Sequence, residues 1–219
     1  MSRRSNKGAT YLVLFLLLLA STSSLRILKG LRQALYFNSP FRFRRNMSTT
    51  SSNLYPTSVT SFGPLDDVVM GGSSSSSFDA KGGKWEGNIV TQNGGFAGIR
   101  SLNFNLDASA YKGFVLKVRG GGGQRFKFIT RDSGDWNGVA WTWEFDTSSK
   151  PSATVVRLPF SHARPTKFAK TVPGAVLDKE KLTTIQFTLS KFAFDGDLNP
   201  KFNGDGPFSL NIDEVALYS

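Results

Sequence analysis

Several groupings along this chain have residue types and spacing that do chemistry elsewhere. The first is the adjacent carboxylate pair Asp66 and Asp67 in LDDVVMGGSSSSSF, Leu65–Phe78, followed by an apolar triplet, two glycines and five serines. Such a stretch suits a metal or phosphate loop, a flexible linker or a structural corner. The second is RGGGGQRF, Arg119–Phe126. It lacks the lysine and Ser/Thr of a phosphate loop and leads into a strand, where a phosphate site wants a helix N-terminus. A hairpin turn is expected, because glycine meets the demand of positive-φ turn positions. The acids of KFAFDGDLNPKFNGDGPF, namely Asp195, Asp197 and Asp205, offer alternating oxygen ligands as a calcium loop does. The closing Glu of that pattern is missing, so a solvated loop between strands is expected.

His162, in LPFSHARP, is the only histidine. A Ser-His-acid relay needs a nucleophile within hydrogen-bond reach and a carboxylate behind the imidazole. Ser161 adjoins it, but no nucleophile-elbow glycines do. One histidine rules out multi-His metal sites, and the absence of cysteine removes thiol nucleophiles, thiolate zinc sites and disulfides. No catalytic residue, cofactor or metal is therefore expected, and a hydrolase built on His162 is the enzyme alternative. Trp136, Trp141 and Trp143 offer aromatic platforms for a sugar or a partner side chain. Trp141 and Trp143 fall on the apolar phase of a strand, leaving Trp136 in RDSGDWNG as the exposed one.

The elements that must position these residues are strands. Apolar residues from Trp85 onward recur at period two. Phe114, Leu116 and Val118 alternate with Lys117 and Arg119; Trp141, Trp143 and Phe145 with Thr142, Glu144 and Asp146; Ile185, Phe187 and Leu189 with Thr184, Gln186 and Thr188. In FSLNIDEVALY the apolar phase slips between Ile212 and Val215, as one extra residue in a β-bulge would cause. KWEGNIVT, FAGIRSLNF, RFKFIT and TVVRLPF complete eight or nine strands. LDKEKL, Leu177–Leu182, suits one short helical turn. Many short strands without intervening helices predict an all-β fold, a two-sheet antiparallel jelly-roll sandwich.

The net charge of +11 over 219 residues is unevenly spread. No acidic residue precedes Asp66 while nine basic ones do, leaving 18 basic against 16 acidic residues and a charge of +2 from there on. So neutral a body lacks the electrostatic footprint of a phosphate-backbone binder, and no nucleic-acid partner is expected. Residues 1–24 read as a signal-peptide-like segment, with basic MSRRSNKGAT, an apolar YLVLFLLLLA of ten and the small-residue STSS. Ten apolar residues fall short of the roughly 18–20 that cross a bilayer. Residues 25–60 are basic, Ser/Arg-rich and transit-like, and are expected to lack order. Signal followed by transit segment suits a plastid with extra membranes; a mitochondrial presequence, or initiation at Met47, are the rivals.

DDVVMGGSSSS, GGFAGIRS (Gly94–Ser101), YKGFVLKVRGGGG, VRLPF and FSLNIDEVALY together resemble the complex I intermediate-associated protein 30 family, over residues 61–219. The resemblance implies a galactose-binding-like jelly roll. It also implies a non-enzymatic assembly factor with chaperone-like binding of unassembled protein subunits, most directly those of respiratory complex I (NADH dehydrogenase), on the matrix or stroma side of an organelle or associated with its membrane, the body itself not spanning one. Plastid relatives imply photosynthetic-complex biogenesis as the alternative. The fold's carbohydrate-binding modules imply a lectin-like role as the second. The all-glycine hairpin and SHARPTKFAKTVPGA after LPF depart from the family pattern. A partner surface is expected around Trp136, His162 and Arg164. Asp66, Asp67, Met70, Gly71, Gly72, Gly94, Gly95 and Phe96 are expected to build a structural corner. In it the carboxylates accept backbone N–H bonds, Val68 to Met70 anchor in the core, and the two glycines allow a tight turn.

Overall fold

The computed structural model describes residues 53–219. The signal-like segment and the transit-like segment up to residue 52 lie outside the described residues. Among the described residues thirteen strands form: β1 (Asn53–Tyr55), β2 (Phe62–Pro64), β3 (Ser75–Asp79), β4 (Lys84–Ile89), β5 (Phe96–Ser101), β6 (Gly113–Gly120), β7 (Arg125–Arg131), β8 (Ala140–Asp146), β9 (Thr154–Pro159), β10 (Arg164–Lys167), β11 (Lys170–Thr171), β12 (Thr184–Ser190) and β13 (Gly206–Tyr218). Each of the eight segments with period-two alternation is a strand. The remaining five are short or serine-rich, with too few residues to show a period.

All pairings are antiparallel and divide into two sheets. The first runs β3-β4-β13-β6-β9, with β1 on β13 beyond the end of β4; the second runs β11-β10-β8-β7-β12-β5-β2. Aromatic side chains fill the space between them. Phe128 packs on Phe114 of the opposite sheet at 5.0 Å and on its neighbour Phe187 at 5.2 Å between ring centroids. Trp85 packs edge-on to Phe208 at 4.8 Å, and all its surface is buried. Edge-to-face pairs of this kind add to the area they bury. The slip in β13 is a bulge: Ile212 faces Val118 and Glu214 faces Lys117, so Asp213 is the extra residue and Val215 and Leu217 return to the core. The turn expected in LDKEKL forms at Lys179–Lys181.

Two expectations need correction. The sandwich includes residues from Asn53 on, ahead of Ser61: β1 pairs with Ala216 and Val215, and Leu54 and Tyr55 are buried. Three residues are too short for a periodic signal, so the segment 25–60 hid a strand at its end. The glycine run is not a hairpin either, because β6 belongs to the first sheet and β7 to the second. Gly120 to Gly123 all have positive φ and form a left-handed corner that carries the chain from one sheet to the other. Four successive residues in that region are open only to glycine. Thr184, Gln186 and Thr188, on the face of β12 opposite the core, are buried as well. The reason lies in what rises around that face of the second sheet.

Candidate functional site

The opening carboxylates form a clasp between the sheets. Asp67 is fully buried and accepts hydrogen bonds from Ser74 N (2.9 Å), Ser74 Oγ (2.8 Å), Gly95 N (2.6 Å) and Phe96 N (3.2 Å). Asp66 accepts from Ser76 N (2.8 Å), Ser76 Oγ (2.7 Å) and Gly98 N (3.1 Å). Ser76 lies on β3, an edge of the first sheet, and Gly98 on β5 of the second, so each carboxylate joins both layers. Burial alone would raise the Asp67 pKa; the bonds from Gly95, Ser74 and Phe96 outweigh it and hold the carboxyl below its ordinary range. Gly72 and Gly94 leave room for it, since a Cβ there would sit 2.3 Å from Asp67 Cγ and 2.1 Å from Asp67 Oδ2 respectively.

After the clasp the chain makes a single 3-10 turn, Asp67–Met70, closed by Gly71 at φ 85°. Val68, Val69 and Met70 are not an anchor in the core, because Asp67 occupies the inward position of that turn. They stand 58%, 70% and 74% exposed. Val69 and Met70 instead form one wall of a cleft of about 730 Å³ on the outer face of the second sheet.

The cleft floor follows the strand register. Arg100, Gln186, Ile129 and Thr142 stand side by side across β5, β12, β7 and β8. Thr188 faces Lys127 in the row on one side, and Thr166 of β10 faces Ala140 in the row on the other. The walls come from loops. The Trp136 loop is held at Asp132, which accepts from the Trp141 indole N–H at 2.9 Å and from Asp178 N at 3.0 Å. Phe168 and Ala169 turn the chain from β10 to β11 at φ 50° and 60°, a left-handed conformation costly for both side chains, and the turn leaves the Phe168 ring exposed over the cleft. Phe192 and Phe194 complete the rim.

Electrostatically the cleft is one-sided. Arg100, Lys127, Arg131 and Lys191 line it, and no carboxylate does. Burial, and then the nearby Arg131, push the Arg100 guanidinium down to about 10. Lys127, 8% exposed, is pushed down to about 8 by burial, with Glu144 opposing and Arg164 assisting. Lys127 Nζ donates to Ala193 O and lies 4.9 Å from the Phe194 ring. Arg100 lies over the Trp136 indole at 4.1 Å.

The sequence matches the family model of complex I intermediate-associated protein 30 over residues 49–212. The chain belongs to this family. An uncharacterized protein of Schizosaccharomyces pombe is 28% identical over 151 residues, covering 60% of this chain and 69% of that protein. In three dimensions the chain is similar to the family 11 carbohydrate-binding module of a cellulosomal cellulase of Clostridium thermocellum. The TM-score is 0.52 at 18% identity, over 78% of this chain and 95% of the module. The same kind of module in complex with a mixed-linked tetrasaccharide aligns at 0.48 and 18% identity, over 73% and 88%. At such identity the likeness is one of fold, a jelly-roll sandwich.

In this complex I intermediate-associated protein 30 domain the two opening signatures, DDVVMGGSSSS and GGFAGIRS, are the two halves of the clasp. Of the expected surface residues, only Trp136 lines the main cleft. His162 and Arg164 line a smaller neighbouring one of about 240 Å³, which shares Thr142 and Phe194 with it. No hydrogen bond joins the His162 imidazole to a hydroxyl or carboxylate among the described residues. Arg164 lies over Phe194 at 4.2 Å and 3.7 Å from Asp195. Asp195 spends its oxygens on Thr171 N and Oγ1, both at 2.6 Å, and Asp205 accepts from Thr91 N at 3.0 Å. Sequence reasoning missed Arg100, Lys127, Arg131 and Gln186 as site residues. The sequence carried no clear signal of them: the outward positions of β12 are Thr, Gln, Thr and Ser, types that are mostly exposed, and only the tertiary structure covers them.

Proposed function

We propose that this chain is a non-enzymatic binding module that holds unassembled subunits of an organellar membrane complex, respiratory complex I first among them. Membership of the complex I intermediate-associated protein 30 family supports the class of process. The observation that carries the mode of action is the cleft, where exposed Val69, Met70, Trp136 and Phe168 surround a cationic, carboxylate-free floor. Exposed apolar groups around convergent polar ones are the ordinary anatomy of a recognition site. The test is native-gel migration of the tagged protein in separated mitochondrial and plastid membranes, with mass spectrometry of each band. Co-migration with partial complex I is the expected result. Co-migration with photosynthetic subcomplexes would move the client to the plastid, and free protein in both would remove the assembly reading.

A sugar ligand is the second reading, favoured by the Trp136 indole at the cleft edge, since aromatic faces stack on pyranose rings. Binding on a glycan array would support it.

A further inference from the structure

Arg100 on β5 and Arg131 on β7 converge on one neutral acceptor. Arg100 Nε donates to Gln186 Oε1 at 2.9 Å, and Arg131 Nη1 reaches the same oxygen at 3.5 Å. Arg131 Nε is buried with no hydrogen-bond partner among the described residues. An unsatisfied buried donor is costly to leave unpaired, and two cations sharing one amide oxygen repel each other besides. The group that would satisfy both guanidinium forks is planar, anionic and accepts parallel N–H bonds, which describes a carboxylate. The Trp136 indole beneath Arg100 holds that fork in place.

We propose that the cleft is the docking site for a short segment of a partner protein in which an acidic side chain, clasped by Arg100 and Arg131, is flanked by apolar side chains that meet Val69, Met70 and Phe168. This rests on the reading of the chain as a subunit-binding module and names what it recognises. Charge complementarity selects the occupant, because four cations and no carboxylate line the cleft. The chain's own first 52 residues contain no acid and lack the charge this floor selects. A volume of about 730 Å³ accommodates a few side chains, not a folded domain. Protein is favoured over single-stranded nucleic acid on one ground. Exposed Asp135, Asp195 and Asp197 adjoin the rim residues Trp136 and Phe194 and would repel a phosphate backbone leaving the cleft.

A random peptide library displayed on phage and selected on the immobilised full chain, followed by fluorescence anisotropy of the selected peptides, tests this. The selected peptides carry Asp or Glu beside Leu, Ile or Phe. Changing that acid to its amide weakens binding about tenfold or more, as do Arg100→Gln and Arg131→Gln in the protein. Lys117→Gln, exposed on the opposite sheet, leaves binding unchanged. The acid-to-amide change in the peptide keeps the test valid even where an arginine variant unfolds. The proposal is overturned if no peptide is selected, if the peptides lack acids, if the amide peptide binds equally well, or if oligouridine binds with the same dependence on Arg131. Peptide capture by a protein that runs free on native gels would remove the assembly reading and leave the cleft. Undiminished co-migration of Arg131→Gln with subcomplexes would remove the cleft and leave assembly.

Discussion

The Asp67 carboxylate accepts the backbone N–H of Gly95 at 2.6 Å, over a separation of 28 residues. With the bonds from Ser74 and Phe96 it anchors the start of β5, the turn before β3 and the Val69–Met70 wall of the cleft at a single buried charge. Hydrogen bonds to an ionised group in a dry site are among the stronger ones, and losing their acceptor leaves several buried donors unpaired.

Asp67→Asn is therefore expected to destabilise the fold by roughly 2–4 kcal/mol, read from urea unfolding at neutral pH. The variant also changes the acid limb. The Asp67 pKa is lower folded than unfolded. Its stabilisation is thus complete above the unfolded value of about 3.9 and lost as pH falls through the folded one. A variant whose stability falls as steeply in acid as the parent's would refute this role.

Gly94→Ala tests the same clasp from the opposite side. The added Cβ would lie 2.1 Å from Asp67 Oδ2, against nothing within 4 Å at Gly63. Unfolding midpoints should drop by about 2 kcal/mol or more for Gly94→Ala and stay within about 0.5 kcal/mol for Gly63→Ala. Equal effects at the two sites would mean that the carboxylate does not define the packing there.

The glycine corner makes a graded prediction. At Gly122, φ 62°, a Cβ meets only Asn203 Nδ2 at 3.8 Å, so alanine there costs the left-handed penalty alone, about 1–2 kcal/mol. At Gly121, φ 82°, the Cβ also approaches Thr147 Oγ1 to 2.5 Å, so alanine there costs more. Thermal melts of the two variants should keep that order.

The Phe168–Ala169 turn holds two non-glycine residues at positive φ. Replacing the pair with Asn-Gly should raise stability by about 1–2 kcal/mol, because glycine tolerates the conformation and asparagine resists it least. The same change removes the phenyl ring from the cleft rim and is expected to weaken capture of the selected peptides. Gains in both stability and binding would show that the strained turn has no part in recognition.

Lys127 gives a basic-side signature. Its pKa falls from 10.5 to about 8 on folding. Between those values the unfolded chain binds the more protons, so stability rises with pH across that window and is flat in this contribution below it. The rise is on the order of 3 kcal/mol. Comparing urea midpoints of the parent and Lys127→Met from pH 7 to pH 10.5 isolates it, since the variant should lack the rise.

How much of this was legible in the sequence can be judged strand by strand. Period-two alternation marked β4 through β9, β12 and β13, and even the bulge at Asp213, because each core position repeats every second residue over five or more residues. β1, β10 and β11 are too short for any period to register, and they exist by virtue of the strands they pair with. The glycine run was recognisable as a positive-φ turn, but which sheet the next strand would join was not, since φ preferences are local and sheet membership is not.

The sequence by itself determined the sandwich, the core aromatics and the two glycine- and aspartate-rich signatures, because hydrophobic period and glycine conformational freedom are properties of neighbouring residues. Tertiary structure alone decided that Asp67 meets Gly95 in one clasp and that Val69 and Met70 face outward over a cleft. It likewise decided that Arg100 and Arg131 share Gln186 in a cleft that no carboxylate lines. Those three residues lie on strands distant in sequence, and only the register of β5, β12 and β7 brings their side chains to one place.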